Sequence, residues 1–478
     1  MMLILFSIII KIYFFLNCFQ KNYYEFKSIL KLVAKKYYVI YVSSVFIILK
    51  HFINNIVIDL FIVLTLLLQV IYLIKKSKVF LKFTKRIIRL FVTVLIQILL
   101  LSLFLPCYII EIITPLIIIL ANLINHPLEL LISNFYIKKA IKKINKVNAI
   151  KIAITGSYGK TSTKNYITNV LKNKYIVHST PKSYNTPLGI SLFINKSKFN
   201  CTDFVIYEFG ARRKGDILEL QKYYPYDIAI ITGIGKMHID TFKTMDNIIE
   251  EKMSLAKKLT FDKIAILNYE NEFIRANPIS CIKYTYGFNN GQYQARNLKL
   301  SIFQSEFDLY IKDKFIRRFI VKPLGRGAIL NILPAIILCD LYKINYDFVS
   351  NVMAVDNRLT LRKMEGYYIL DDAYNSNILG VNYALEVLGT HQGKKYLITP
   401  GFAEMKLIED ELLTKYSDNI NEIVDSVILV KNEFTIKLSK YIKNKEIIFQ
   451  ESFKEAFDFY IKNKEDSSIV LIENDLLE

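Results

Sequence analysis

Long apolar stretches crowd the first 125 residues, and beyond residue 150 the pattern changes to short apolar runs separated by polar, helix-compatible segments. Five stretches stand out: Met2–Cys18, Tyr38–Leu49, Ile56–Ile74, Leu90–Leu105 and Cys107–Ile124. A polar break, His51-Phe52-Ile53-Asn54-Asn55, parts the second from the third, and Pro106 parts the last two. A membrane-crossing helix needs about 20 apolar residues. Ile56–Ile74 meets this best, with Asp59 as its single acid, whereas Leu90–Leu105 is short but free of charge. Cys107–Ile124 carries Glu111 and Pro115 and reads as a half-helix or an interfacial segment. Met2–Cys18 has no basic start and no small-residue cleavage site, so it reads as a retained anchor and not a signal peptide.

Basic clusters flank these stretches: Lys21, Lys27, Lys31, Lys35 and Lys36; then Lys75, Lys76, Lys78, Lys82, Lys85, Arg86 and Arg89; then Lys138, Lys139, Lys142, Lys143 and Lys146. Cytoplasmic placement of all three requires two hairpins and an outside N-terminus. The competing arrangement is an apolar bundle lying on the membrane without full crossings, because most of the stretches are short.

Past residue 150 strands alternate with helices, as in α/β folds. The run Ile150–Ser162, IKIAITGSYGKTS, is a strand that feeds a glycine-containing turn, and a helix-compatible segment, Lys164–Lys172, follows it. Such a turn is a phosphate cradle, because the helix start offers unpaired N–H groups and a positive dipole end. Gly156 and Gly159 let the backbone approach the phosphates. Ser157 lies within the same loop, Lys160 reaches the outer phosphates, and the Thr161 or Ser162 hydroxyl can ligate Mg²⁺. The spacing is shorter than the common P-loop, since Ile154 stands where its first glycine belongs. ATP or a similar nucleotide is the expected ligand.

Two further strands end in candidate groups. Phe204–Glu208 places Glu208 at a carboxyl end, where ligands gather in open α/β sheets, next to the phosphates and their Mg²⁺. Asp227–Thr232 is followed six residues later by His238, and Lys252 lies in a helix-like stretch, Asn247–Leu259. Taken singly, Glu208 also suits a helix cap, His238 a surface position and Lys252 a solvated helix face.

At 478 residues the chain is long enough for about three domains. Lys and Arg number 63 against 43 Asp and Glu, a formal charge of +20. The charge is spread widely, which fits a general Lys, Ile, Asn and Tyr enrichment of the whole sequence as well as attraction to an anionic surface; no nucleic-acid module is recognisable and the densest basic stretches flank apolar segments, which favours lipid over nucleic acid as such a surface. The five cysteines, Cys18, Cys107, Cys201, Cys281 and Cys339, form no CxxC, which argues against a disulfide framework or a zinc site and for a reducing cytoplasm around the main body.

The motifs together resemble the Mur ligases, ATP-dependent amide-forming enzymes of peptidoglycan synthesis. TGSYGKTS is similar to their P-loop, and TPKSYNTPLGI (Thr180–Ile190) to the loop between nucleotide and acyl substrate, which implies that Asn185 and Thr186 contact substrate. YEFGARRKGDI (Tyr207–Ile217) resembles the E-[MF]-G-A-x-x-x-G-[ED]-I motif, and TGIGKMHIDTF (Thr232–Phe242) the segment with a metal-site histidine, His238. EEKMSLAKKL (Glu250–Leu259) resembles the helix carrying a carbamylated lysine, here Lys252; LNYENE (Leu267–Glu272) resembles the adenine-contacting turn, here Asn268. LDDAYNSN (Leu370–Asn377) and ENDLL (Glu473–Leu477) resemble the D-Ala-D-Ala-adding branch. Departures are clear too. Gly325-Arg326-Gly327-Ala328-Ile329-Leu330-Asn331 keeps the first Gly and last Asn of Gly-x-His-Asn-x-x-Asn but loses His-Asn, and the linker Gly-Arg appears as Asn357-Arg358. The family's UDP-holding N-terminal domain is replaced by the apolar region.

The resemblance implies an α/β chain with a central P-loop Mur-ligase-type domain and a C-terminal Rossmann-like domain, preceded by an all-α transmembrane region. The expected divisions are a membrane region over 1–130, a basic linker helix over 131–148, and the two catalytic domains over 149–356 and 357–478; Asn289–Ser305 reads as a hairpin excursion. A carboxylate phosphorylated by ATP would be captured by an amine, with charge on the phosphoryl group neutralised by Lys160 and Mg²⁺. Two Mg²⁺ sites are implied, Thr161 with Glu208 and His238 with carbamylated Lys252. Asn331, Arg358 and Asp372 would contact nucleotide, and Tyr374, Asn375, Ser376 and Asn377 the amine side. The favoured acyl substrate is a lipid-linked cell-envelope carboxylate, with catalysis on the cytoplasmic side of a bacterial inner membrane. One alternative is a soluble UDP-N-acetylmuramoyl tripeptide with the apolar part only an anchor; another is a non-catalytic ATP-binding partner protein. A P-loop transporter would need an ABC-type signature or Walker B run, and neither is found.

Overall fold

The computed structural model describes residues 2–21, 24, 38–53, 55–76, 81–373, 377–402, 410–443 and 445–474. The chain divides into two compact units, Met1–Phe135 and Tyr136–Leu477.

The first unit is all helical: α1 (Met2–Lys21), α2 (Tyr38–Phe52), α3 (Ile56–Lys76), α4 (Lys85–Leu101) and the start of α5 (Cys107–Ile144). α3 is about 31 Å long at 1.5 Å per residue, enough for a hydrocarbon layer, whereas α2 and α4 are shorter. Phe15, Phe19, Ile87, Val94 and Ile118 pack inward, yet Leu60, Leu64, Leu67 and Leu99 face outward. Polar groups are instead buried. Lys11 Nζ meets Glu111 Oε1 at 2.7 Å with both side chains fully buried, and Ser7 Oγ donates to the same oxygen at 2.6 Å. Apolar outside and paired charges inside is the arrangement expected in lipid.

Of the two readings of Cys107–Ile124, the half-helix is not found, and residues 131–144 are not a separate linker helix, because α5 runs unbroken through Pro115 and Pro127 to Ile144. Proline 115 has no N–H to give the carbonyl four residues back, Glu111 C=O. Lys11 Nζ supplies that bond at 3.0 Å, so the helix passes the proline with its freed acceptor satisfied.

The second unit holds two sheets. The first has nine strands in the order β2-β3-β1-β4-β5-β6-β7-β8-β9. These are β1 (Ile150–Thr155), β2 (Val177–Ser179), β3 (Phe204–Glu208), β4 (Ile228–Ile231), β5 (Ile264–Asn268), β6 (Ile282–Gly287), β7 (Tyr293–Leu300), β8 (Ser305–Ile311) and β9 (Lys314–Val321). β2 through β7 pair parallel, and β7-β8-β9 are an antiparallel meander, so the expected excursion is an extension of the same sheet. The central strands are apolar on both faces and are covered on both, as parallel sheets are. One face packs on α6 (Lys160–Leu171) and on a second helix, Gly325–Tyr342; the other on α7 (Pro187–Lys196), α8 (Asp216–Tyr223), α9 (Ile239–Phe242), α10 (Met245–Lys257) and the tail of α5. α11 (Glu272–Arg275) follows β5. Gly325–Tyr342, here α12, is apolar and long enough to cross a membrane by composition, but it is a core helix whose Ile329, Ile332, Leu333 and Ile336 are all buried.

After the short α13 (Asp347–Ser350), the second sheet has six strands in the order β10-β11-β15-β12-β13-β14. They are β10 (Thr360–Lys363), β11 (Tyr367–Asp372), β12 (Lys395–Thr399), β13 (Ser426–Val430), β14 (Glu446–Gln450) and β15 (Ser468–Glu473); only the β10–β11 pair is antiparallel. α14 (Ile378–Gly389), α15 (Asp410–Ile423) and α16 (Glu433–Ser439) contribute to one apolar layer, and α17 (Phe453–Asn463) to the other.

Candidate active site

The turn from β1 into α6 is shaped by two left-handed glycines. Gly159 (φ +80°) caps α6, and a Cβ there would lie 2.3 Å from Asn331 Oδ1; a Cβ on Gly156 (φ +154°) would lie 2.2 Å from Thr232 Oγ1. Both positions therefore demand glycine. Tyr158 between them is clasped by Gly233 and Gly235, where an added Cβ would meet its ring at 2.4 and 3.0 Å. Ser157 Oγ donates to Gly235 C=O at 3.0 Å. Lys160 folds back on the loop, donating to Gly156 C=O at 2.7 Å.

Glu208, 1% exposed at the end of β3, is the hub beside that loop. Its Oε2 accepts from Thr161 Oγ1 at 2.9 Å and from Lys164 Nζ at 3.1 Å. Lys164 also donates to Lys182 C=O, and burial holds its ammonium below the usual lysine range. Asn185 lies against the strand end: its C=O accepts from Gly210 N–H at 2.9 Å, and a Cβ on Gly210 would come within 2.7 Å of its side chain. Thr186 caps α7, accepting from Gly189 N–H at 3.3 Å. Lys252 is buried on α10, near Ala211 C=O (3.5 Å), and burial with the Lys160 charge lowers its pKa to about 7. His238 sits at the start of α9 in a left-handed conformation (φ +55°).

A cavity of about 230 Å³ adjoins this loop. Gly159, Ser162, Asn268 and Asn331 line it from the first sheet's side; Arg358, Asp372, Asn377, Leu379 and Tyr383 line it from the second's. The sequence-expected residues thus fall into two groups, one on the cavity wall and one around Glu208, with Ser157 bonded to Gly235 in the loop. Gly156, Ser157, Lys160, Thr161, Glu208, Asn185, Thr186, His238 and Lys252 are not on the cavity wall. Asn268 reaches it, but both of its polar atoms have internal partners: Nδ2 donates to Thr232 C=O at 2.7 Å and Oδ1 accepts from Glu270 N–H at 3.0 Å. Tyr374, Asn375 and Ser376 lie outside the described residues, as does the end of the ENDLL segment.

Residues 154–339 match the family model described as the Mur ligase middle domain. A UDP-N-acetylmuramoyl-tripeptide–D-alanyl-D-alanine ligase of Bacillus subtilis is 29% identical over 268 residues, 54% of this chain and 57% of the relative. The corresponding ligase of Borreliella burgdorferi is 27% identical over 357 residues, 69% of this chain and 72% of the relative. The crystal structure of MurF ligase from Thermotoga maritima in complex with ADP superposes with a TM-score of 0.65 at 24% identity, covering 72% of this chain and 80% of that one. Residues 154–339 are thus a Mur ligase middle domain. The chain spans little more than half the length of the Bacillus subtilis relative.

The departures from the Mur ligase motifs have physical counterparts. Asn357 stands where the family linker has Gly, and its φ of +57° is left-handed. Asparagine is among the few residues that enter this region readily, so the turn survives. Leu359 is left-handed as well (φ +49°), and its N–H donates to Asp372 Oδ1 at 3.0 Å; the two turns bracket Arg358 at the cavity. Gly327 stands where His belongs, and the Tyr383 ring lies 3.3 Å from where its Cβ would be, filling the space from α14. Arg326 Nε bonds both Glu386 oxygens at 2.9 Å beside it.

Sequence reasoning did not single out Lys164, Glu251, Tyr158 or Tyr383. Glu251, 2% exposed, accepts from Gly215 N–H (2.8 Å) and Ile217 N–H (2.6 Å), so it satisfies the start of α8 inside the G-D-I motif. Its neighbour Lys252 drew the attention, yet Glu251 fixes that motif against α10. The Thr161 hydroxyl and the Glu208 carboxylate are hard oxygen donors that suit Mg²⁺. Among the described residues no three His, Cys, Asp or Glu side chains gather, so phosphate oxygens would have to complete such a shell.

Proposed function

We propose that this protein is an ATP-dependent, ADP-forming amide ligase that joins D-alanyl-D-alanine to a UDP-N-acetylmuramoyl tripeptide. The observation that carries the proposal is the Thr161–Glu208–Lys164 cluster at the foot of a glycine-shaped P-loop, beside a cavity walled by both sheets. The ATP base and ribose occupy the cavity, with Asp372 on the ribose and Arg358 and Asn331 near the phosphates. Lys160, released from its own loop, meets the β and γ oxygens. Thr161 and Glu208 would hold Mg²⁺, which would supply charge neutralisation for phosphoryl transfer to the substrate carboxylate. A lysine with pKa about 7 carries a free amine at neutral pH, so Lys252 takes up CO₂ as a carbamate, an anionic oxygen donor that with His238 suits a second Mg²⁺. Asn185 and Thr186 lie toward the acyl group.

Names of the relatives favour the soluble nucleotide-sugar tripeptide over the lipid-linked acceptor expected from the sequence. The helical first unit is then a membrane anchor that keeps the ligase on the cytoplasmic face, supported, among the described residues, by three helices that lie or begin in it and are long and apolar enough to cross. ADP release by the purified full chain tests both parts. It should require ATP, the tripeptide and the dipeptide together and yield the pentapeptide mass. Turnover only with lipid-linked carboxylates would overturn the substrate assignment.

A further inference from the structure

Lys164 stands one turn beyond Lys160 on α6, with its side chain only 1% exposed. The phosphate-cradling turn makes no use of it. Its ammonium reaches acceptors on two different elements: Glu208 Oε2 at 3.1 Å, at the end of β3, and the backbone C=O of Lys182. Balancing the buried Glu208 accounts for the first bond and not for the second.

Lys182 lies in the stretch Pro181–Thr186, which contains Asn185 and Thr186. Packing does little to hold this stretch, since Pro181, Lys182, Ser183 and Tyr184 are all exposed. Lys182 is nevertheless left-handed (φ +47°), a conformation that a lysine keeps only where its surroundings impose it. Besides a local turn, Tyr184 N–H to Pro181 C=O at 3.1 Å, the anchors lead to β3 or the residues just after it. Thr180 N–H donates to Ile206 C=O at 3.0 Å, and Thr180 Oγ1 accepts from Glu208 N–H at 3.3 Å. Gly210 N–H donates to Asn185 C=O at 2.9 Å. Those bonds fix the two ends of the stretch. Lys164 supplies the bond between them, at the left-handed residue itself. An ammonium carries three N–H donors on one nitrogen, so a single side chain can serve an oxygen on each side.

We propose that Lys164 is a positioning residue that ties the Pro181–Thr186 loop to the Glu208 carboxylate, and so holds the loop facing the acyl substrate in register with the phosphate end of the site. This rests on the ligase function proposed above. Breaking the tie frees the loop and leaves the second sheet as it was, so binding of the acyl substrate suffers and binding of the amine does not.

The full chain is assayed with ATP, Mg²⁺, UDP-N-acetylmuramoyl tripeptide and D-alanyl-D-alanine. Lys164→Met should raise the tripeptide KM about 10- to 100-fold, the range for a hydrogen bond from a charged group, and leave the dipeptide KM within about twofold. A purely structural lysine would lower kcat through lost folded protein and move neither KM, so an unchanged tripeptide KM would overturn the proposal. A second readout needs no turnover and leaves no charge unbalanced. Lys164→Met combined with Glu208→Gln removes both members of the ion pair, a change that buried pairs tolerate better than the loss of one. The carbonyl that Lys164 holds is the one trypsin attacks when it cuts after Lys182. Cleavage there, followed by fragment mass, should be about 10- to 100-fold faster in the double variant than in the wild type, because cutting through local opening follows the open population. Equal rates would overturn the tie even if Lys164→Met alone fails to fold. Hydroxylamine trapping of acyl phosphate by the wild type, without dipeptide, separates this claim from the ligase function. No trapped product would defeat that function, and cleavage at Lys182 would still decide the tie.

Discussion

Two buried glutamates end parallel strands in the two sheets, and their surroundings are opposite. Glu208 at the end of β3 has a lysine and a threonine hydroxyl on one oxygen. Glu473 at the end of β15 has a tyrosine hydroxyl on one oxygen, Thr399 near the carboxyl and an aspartate beside it, and among the described residues no cation pairs with it. A buried carboxylate stays ionised when a cation is built in and takes a proton when none is. The first sheet therefore offers a carboxylate already paired with a lysine, placed beside the P-loop. The second holds a carboxyl that burial and the neighbouring Asp372 push up to about 8.

The comparison breaks hardest at the P-loop. Lys160→Ala should lower ATP-dependent turnover by about 10²- to 10³-fold, the usual loss for one donor to developing charge. ADP release under saturating substrates measures it, and unchanged turnover would remove the first end from catalysis. Next comes the ion pair. Lys164→Met leaves Glu208 buried without its cation and should cost about 3–5 kcal/mol of stability. Glu473→Gln, which removes a carboxyl already protonated at neutral pH, should cost little by the same thermal melt. Equal losses in the two variants would erase the distinction between the ends. Smaller still is the dependence on CO₂. Activity should fall a few-fold in CO₂-depleted buffer and return with bicarbonate, because an amine of pKa about 7 loads reversibly. Indifference to bicarbonate would leave Lys252 as a plain buried lysine.

The first end was far more legible in the sequence than the second. A P-loop is a local signal: strand, glycine turn and Lys-Thr-Ser lie within thirteen residues, and Gly156 and Gly159 have the backbone angles the turn demands. Lys164 was not legible, since one turn beyond Lys160 it reads as a solvated helix position, and only the placement of β3 across α6 buries it on Glu208. Glu251 reads as one charge in a polar run until α8 is seen to start on it. Long-range compensation misled the reading of Pro115, because the carbonyl it frees is satisfied by Lys11, a hundred residues earlier. Missing His-Asn read as a loss, whereas Tyr383 from the other sheet's helix fills the space beside Gly327. In each case the deciding partner is remote in sequence, and no periodicity or spacing encodes it.

The most delicate contrast between the glutamates is their effect on stability against pH. An unfolded glutamate loses its proton near 4.5, whereas folded Glu473 keeps its proton up to about 8. Between those values the folded state binds more protons than the unfolded state, so stability falls as pH rises, by at most about 1.4 kcal/mol per pH unit from this group. Below 4.5 both states are protonated and above 8 both are ionised, so the slope vanishes at each end. Glu473→Gln has no such proton, and its melting temperature should gain on the wild type steadily from pH 5 to pH 8 and no further above it. Asp372, Tyr416 and Thr399 face the carboxyl in both proteins and cancel in the difference. Parallel curves for the two proteins would mean that Glu473 is ionised in the fold at neutral pH.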